Sequence, residues 1–284
     1  MSTRKAVFAG SWYPDTSLAC EKEIKTFLKN SEPDTPSNKK YIGGIVPHAG
    51  WYFSGRIACR VIHALVEDIQ PDVIVIFGMH LHTSSPCYIM TDGSWETPFG
   101  EIKIEKQIAS ELVNRFDFQV ETARNYTQDN TIELQLPFIK YFFDTASIVP
   151  LGLPPVENSL EIAKAVAQIA KDKGVAIKII GSTDLTHYGS NYGFSPKGKG
   201  KKALDWVRNE NDRIFIDAMV EMNPEKILKI AFENNNACCA GAAASAVAAA
   251  KHVGASKVEA ISYSTSYDIR PDESFVGYAG IVFE

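Results

Sequence analysis

The sequence predicts an α/β fold, arranged as one domain over residues 1–284. Three observations carry that expectation. Short β-branched runs such as Asp72-Val73-Ile74-Val75-Ile76-Phe77 lack polar alternation, as in strands covered on both faces. Between such runs lie segments with apolar residues at helical spacing, for example Ile57, Val61, Ile62, Leu65 and Ile69. In several places a buried run ends in a loop bearing titratable groups, and ligands of α/β folds bind beyond the carboxyl ends of strands.

The stretch around which the chain is organised is Gly43-Gly44-Ile45-Val46-Pro47-His48-Ala49-Gly50-Trp51-Tyr52-Phe53-Ser54-Gly55. Tyr41 to Val46 reads as a strand that Pro47 ends, because proline cannot donate to a ladder. Gly50 and Gly55 permit turns that place His48 just beyond the strand, and a helix follows from Arg56 to Val66.

Before this stretch, Lys5 to Phe8 is a candidate first strand, and Ala9-Gly10-Ser11-Trp12-Tyr13-Pro14 an aromatic turn. Thr16 or Ser17 can cap a helix through Leu28, with Leu18, Ile24, Phe27 and Leu28 on one face. Ser31 to Lys40 is a loop rich in proline and polar residues.

After it, the strand at 72–77 delivers Gly78-Met79-His80-Leu81-His82-Thr83 to the edge that carries His48. Cys87 to Met90 and Glu101 to Ile104 flank Trp95 to Gly100 as an antiparallel insertion. Lys106 to Phe116 reads as a helix, Phe118 to Glu121 as extended, and Asp129 to Phe138 as helical at one end or both. Ser147 to Gly152 is a buried strand, Glu157 to Lys173 an amphipathic helix, and Val175 to Ile180 a strand leading into Gly181-Ser182-Thr183-Asp184-Leu185-Thr186-His187-Tyr188-Gly189. Helices are expected over Ala203–Met222 and Pro224–Glu233, then over the alanine-rich Ala242–Lys251, whose small side chains allow close packing. Val258–Ser264 and Ser274–Phe283 are closing strands around a turn at Asp268–Asp272.

Composition narrows the functional classes. A net charge of -5 and a pI near 5.8 give no support to a nucleic-acid surface, and Lys197 to Lys202 lacks interleaved aromatics and reads as a solvated loop. No run approaches the roughly 18 apolar residues of a membrane helix, and Met1 to Phe8 shows no signal-peptide pattern, so a cytoplasmic location is expected. Five cysteines, an odd number, point to reduced thiols and leave metal or catalytic roles open.

His48 can cap a turn or reach a site, and His80 and His82 lie two apart after a buried strand, so one can reach the site while the other faces away. Asp184-x-x-His187 can be a carboxylate–imidazole pair or a capped loop. Cys238-Cys239 precedes a helix, whose N-terminus favours thiolate, although paired buried cysteines also serve as small packing residues. Cys20, Cys59 and Cys87 read as packing residues, His63 as a surface residue, and Glu133 as a site carboxylate or a surface charge. A His/Cys/Asp set suits iron(II), zinc or copper better than magnesium or calcium.

Taken in order, Ala9-Gly10-Ser11-Trp12-Tyr13-Pro14, Pro47-His48-Ala49-Gly50, Thr97-Pro98-x-Gly100, Glu133-x-Gln135-Leu136-Pro137-Phe138 and Ser182-x-Asp184-x-x-His187-Tyr188-Gly189 resemble the Memo family across nearly the whole chain. That family is similar in turn to class III extradiol dioxygenases, which are non-haem iron(II) enzymes. The resemblance implies a three-layer α/β/α domain with a mixed, largely parallel sheet and a metal pocket, most readily for iron(II), with copper or zinc as alternatives. It makes His48 the first imidazole ligand, takes a second from Gly78–Thr83, and sets a cysteine near Cys238 where the dioxygenases use a carboxylate. Asp184 and His187 match motif positions near the pocket.

The family usually has Gly-Pro-x-His where this chain has Gly78-Met79-His80-Leu81, so the second ligand falls to His82 or His80. His82 is preferred, because His82-Thr83 restores a His-Thr pair after one inserted residue. Asn130 stands where histidine is frequent, and Cys238-Cys239 replaces a Cys-Gly pair, with Cys238 preferred because it keeps Gly241 in register.

Three functions compete. The first is a metal-dependent redox enzyme with His187 moving protons. The second is a non-catalytic metal or peptide binder in which Trp12, Tyr13, Trp51 and Tyr52 form an aromatic platform, with Asn130 and Glu133 beside it. A cysteine hydrolase using Cys238, His187 and Asp184 is third, since no nucleophile signature surrounds the thiol. The resemblance also implies a small-molecule or peptide ligand and association with a radical-SAM partner protein and a third small protein.

Overall fold

The computed structural model describes residues 2–29, 39–67 and 70–284. Most of the loop expected at 31–40, and Ile69 of the second helix, lie outside the described residues. In chain order the first half contains β1 (Thr3–Arg4), α1 (Ser17–Lys29), β2 (Gly43–Val46), α2 (Arg56–Ala64), β3 (Val73–Gly78), β4 (Tyr88–Met90), β5 (Ser94–Thr97), β6 (Gly100–Lys103), α3 (Lys106–Arg115), β7 (Gln119–Glu121), α4 (Asn130–Glu133) and α5 (Leu136–Phe142). There follow β8 (Ser147–Gly152), α6 (Glu157–Asp172), β9 (Ile177–Ser182), β10 (His187–Tyr188), α7 (Lys201–Trp206), α8 (Asp212–Val220), α9 (Pro224–Asn234), α10 (Ala240–Val253), β11 (Val258–Thr265), α11 (Ser266–Ile269) and β12 (Phe275–Phe283).

Among the described residues, nine strands form the main sheet in the order β10-β12-β2-β9-β3-β8-β4-β7, with β11 on β12. Its centre, β2-β9-β3-β8, is parallel, and antiparallel pairs appear only on either side of it. Side chains alternate between two cores, as the period of two requires: Val73, Val75 and Phe77 face one, Ile74 and Ile76 the other. Helices α3, α6, α8, α9 and α10 cover the first face and α1, α2 and α5 the second, which makes three layers.

Because the central strands are parallel, their carboxyl ends share one edge. Val46 pairs with Ser182 and Phe77 with Gly181, so the loops carrying His48, His80 and Asp184 leave the sheet side by side. Helix α10 brings Cys238 and Cys239 to the same edge. Its alanines let it lie close on β9, where a Cβ on Gly181 would come within 2.7 Å of Ala246 Cβ.

Several elements differ from the sequence reading. Lys5 to Phe8 is not a strand, because the Phe8 N–H donates to the Glu133 carboxylate (2.7 Å) instead of a ladder. The insertion is a hairpin of β5 and β6 with β1 added parallel to β5, while β4 belongs to the main sheet. The helix expected over 203–222 is interrupted by a π-helical turn at Val207–Asn211. The turn at 268–272 starts inside α11, which Thr265 and Asp268 close with a capping box.

One buried ion pair braces the loop before α4. Arg4 lies between the rings of Trp95 (3.7 Å) and Tyr126 (4.0 Å), pairs with Glu121 at 2.7 Å, and donates to the Thr127 carbonyl. Glu121 also accepts the Thr127 N–H at 2.6 Å. Both partners are almost fully buried, so deleting one leaves an uncompensated charge. Glu121→Ala should lower stability by about 3–5 kcal/mol. A loss under 1 kcal/mol in denaturant unfolding would mean that water reaches Arg4.

Candidate metal centre

His48, His80, Cys238 and Cys239 offer ligand atoms that all lie within 4.8 Å of one another. Each imidazole is oriented by a bond on its far nitrogen. The Ser182 hydroxyl spends its only proton on the Thr131 carbonyl (2.8 Å), so it must accept from His48 Nδ1 at 3.1 Å. His48 Nε2 therefore faces Cys238 Sγ, 3.2 Å away. His80 Nδ1 bonds Asp129 Oδ2 at 2.9 Å, and the same oxygen accepts the His80 N–H at 3.0 Å. The other Asp129 oxygen caps α4 through the Thr131 N–H (2.8 Å).

The turn that presents His80 is sharp. Met79 has φ +72°, unusual for a residue with a side chain, and its N–H donates to Thr131 Oγ1 at 2.6 Å. The preference for His82 is thereby corrected: this turn sends His80 toward His48, their rings 4.9 Å apart, while His82 enters a tight turn closed by its carbonyl and the Ser85 N–H. The His82 ring faces Ser84 and lines a separate cavity of about 490 Å³.

Asp184 connects three loops. Its carboxylate accepts the His48 N–H at 2.7 Å, its own N–H donates to Cys238 Sγ at 3.3 Å, and its carbonyl accepts the Cys238 N–H at 3.3 Å. His187 bonds the Leu185 carbonyl through Nδ1 (3.1 Å), which leaves Nε2 for the cavity. That cavity, of about 640 Å³, is lined by His48, His80, Asp184, His187, Asn130 and Arg270, with Trp12, Tyr52, Phe53 and Tyr192 as aromatic walls.

Not every expected pocket residue reaches it. Tyr13 and Trp51 are 4% and 2% exposed and stand in the core, Trp51 stacked on Phe138 at 4.1 Å. Glu133 is fully buried and bonds the Phe8 N–H and Tyr13 hydroxyl, so it holds the N-terminal segment rather than a ligand. The aromatic platform thus shrinks to Trp12 and Tyr52. Asp129, Ser182 and Arg270 were not singled out by sequence reasoning. Asp129 was legible as the cap before α4, but its bond to His80 spans 49 residues.

Electrostatics favour a thiolate at Cys238. Burial opposes ionisation, yet a hydrogen bond from Cys239 and the nearby His48 and His80 hold this thiol well below its usual range. Burial pushes Cys239 up, and the neighbouring thiolate adds to it. Burial likewise raises Asp184, against the attraction of His48. For His80, burial is outweighed by bonds to Asp129 and Cys238, and its pKa rises to about 10. The donor set fits a borderline metal: two imidazoles with inward Nε2 atoms and a thiolate, with carboxyl and hydroxyl groups fixing the outer nitrogen of each ring.

The His80–Asp129 pair carries a pH signature. A raised histidine stabilises the metal-free fold fully below the ordinary value near 6.5, and this contribution disappears as pH rises through about 10. In Asp129→Asn, the His80 resonance should titrate near the ordinary value, and metal affinity should fall about 10–100-fold. An unchanged His80 titration would show that Asp129 does not orient the ring.

Among the described residues no helix is long and apolar enough to cross a membrane. A family model described as Memo-like protein matches residues 4–282. A MEMO1 family protein of Pyrococcus furiosus is 32% identical over 288 residues, covering 98% of both chains. One from Nitrosopumilus maritimus is 32% identical over 291 residues, covering 99% of both. The crystal structure of an uncharacterized protein from Escherichia coli K12 shares the fold at TM-score 0.50 and 10% identity, over 76% of this chain and 87% of that one. With a matching family model over nearly its full length, the chain belongs to the Memo family.

Proposed function

We propose that this protein is a metal-dependent, dioxygenase-like oxidoreductase, with iron(II) the preferred ion and copper or zinc as alternatives, held by His48, His80 and Cys238. The observation that carries this reading is the position of the donors. His48 and His80 line an open cavity whose wall includes Asp184 and His187, and Cys238 Sγ lies 3.2 Å from His48 Nε2 behind them. A purely structural site would close all round its ion.

When bound, iron(II) supplies redox chemistry toward dioxygen, whereas zinc supplies only Lewis acidity. The remaining work belongs to the chain. Trp12, Tyr52, Phe53 and Tyr192 give a flat organic ligand an apolar berth, and Arg270 can hold a carboxylate or phosphate on it. His187, with Nε2 unengaged, accepts a proton from a hydroxyl of that ligand or returns one. Burial favours the protonated form of Asp184, against the attraction of His48, and its carboxyl on the cavity wall accepts the His48 N–H. Asn130 donates to the His48 carbonyl at 2.9 Å and keeps the cavity wall in place. A radical-SAM protein is the expected physiological partner.

A peptide-binding role without turnover loses support because two of its four aromatic residues are core residues. Protein purified without oxygen should contain iron, and oxygen uptake should follow on adding phenolic or carboxylate-bearing candidates. His80→Ala should lose its iron and His82→Ala keep it. His187→Gln should keep the metal while oxygen uptake falls about 10²-fold or more. Metal-replete protein that consumes no oxygen with any such candidate would sink the enzymatic reading.

A further inference from the structure

Cys239 lies outside the triad just described, yet its sulfur shares the same cluster. Adjacent side chains normally diverge, by a half-turn in a strand or about 100° in a helix. Cys239 does neither. Its backbone (φ -128°, ψ 56°) immediately precedes α10, and there the two neighbouring thiols lie together against both imidazoles. The residue is anchored independently of its thiol, since its N–H donates to Thr183 Oγ1 at 3.1 Å. Thr183 in turn donates to the Asp184 carbonyl at 2.9 Å.

At zinc distances, near 2.3 Å for sulfur and 2.0–2.1 Å for nitrogen, tetrahedral donors stand roughly 3.3–3.8 Å apart. Four donors within 4.8 Å therefore need to contract by about an ångström.

We propose that Cys239 is a fourth protein ligand, recruited by thiophilic ions, so that zinc or copper(I) is held by His48, His80, Cys238 and Cys239 whereas iron(II) takes only the first three. Soft thiolates select copper(I) and zinc, and two of them with two imidazoles complete a four-coordinate shell. On this arrangement the Cys239 proton is released as its sulfur binds the ion. Zinc so held would be closed off from the cavity, whereas iron(II) held by three residues would stay open toward it. The inference rests on the metal-binding reading above.

Cobalt(II), a spectroscopic substitute for zinc, tests it on the intact, fully reduced protein. Thiolate-to-cobalt absorption in the near ultraviolet scales with the number of bound sulfurs. Wild type should show about twice the intensity of Cys239→Ala, and zinc affinity in that variant should fall by about 100-fold or more, beyond the loss expected for an outer-sphere change. Iron(II) affinity should move less than about threefold. His80→Ala should retain the two-sulfur intensity at saturating cobalt. Cys239→Ser, closer in size, should reproduce the one-sulfur spectrum if Cys239→Ala does not fold. Full intensity in a folded Cys239 variant overturns the fourth ligand and leaves Cys239 as a packing residue. Wild type that binds neither cobalt nor iron overturns the metal centre itself, a distinct failure.

Discussion

The hydrogen bond from the His48 amide to the Asp184 carboxylate is the contact on which the site depends. It joins the loops leaving β2 and β9, two parallel neighbours whose last residues, Val46 and Ser182, already pair. Asp184 then passes the constraint on through its main chain, which exchanges bonds with Cys238 at the start of the α10 segment. One residue thus fixes the relative positions of a histidine and a cysteine 190 residues apart. The cost is a carboxylate only 3% exposed. Burial raises its pKa, and nearby His48 offsets part of that rise.

Other buried acids support the same edge from beneath. Asp212 accepts the Thr186 N–H at 3.0 Å, the Thr186 hydroxyl and the Tyr263 hydroxyl at 2.8 Å, and burial pushes its pKa up to about 6. It fills the space beside Gly277, where a Cβ would lie 1.9 Å from Asp212 Oδ2. The loop from Asp184 to His187 is thus held at both ends, by Cys238 on one side and Asp212 on the other. Glu133 does the corresponding work for the N-terminal aromatic turn, and this is why Tyr13 points inward while Trp12 remains at the cavity.

Much of this was legible in the sequence. The buried runs at 43–46, 73–77 and 177–180 announce themselves by composition, and their loops carry the histidines and Asp184. What periodicity cannot express is a contact between distant segments. The Ala9–Pro14 aromatics divide between core and cavity because of Glu133, and His80 displaces His82 because Met79 adopts a left-handed turn and Asp129 waits across the edge. The π-helical turn at Val207–Asn211 was equally hidden. It holds no glycine or proline to mark it, and Asn211 there donates to Thr186 Oγ1 and to the Asn234 carbonyl.

The charge pattern explains why such a polar edge is tolerated. Cys238, held below its usual range, sits against two imidazoles whose pKa values are both raised, so the thiolate and the protonated rings favour one another. A dication bound as proposed above would replace one proton on each ring and leave the net charge of the cluster unchanged. The outer bonds, Ser182 on one ring and Asp129 on the other, persist in both states because they engage Nδ1 and not Nε2. The inward nitrogens are thereby left facing one another and Cys238, which is the arrangement a metal ion would need.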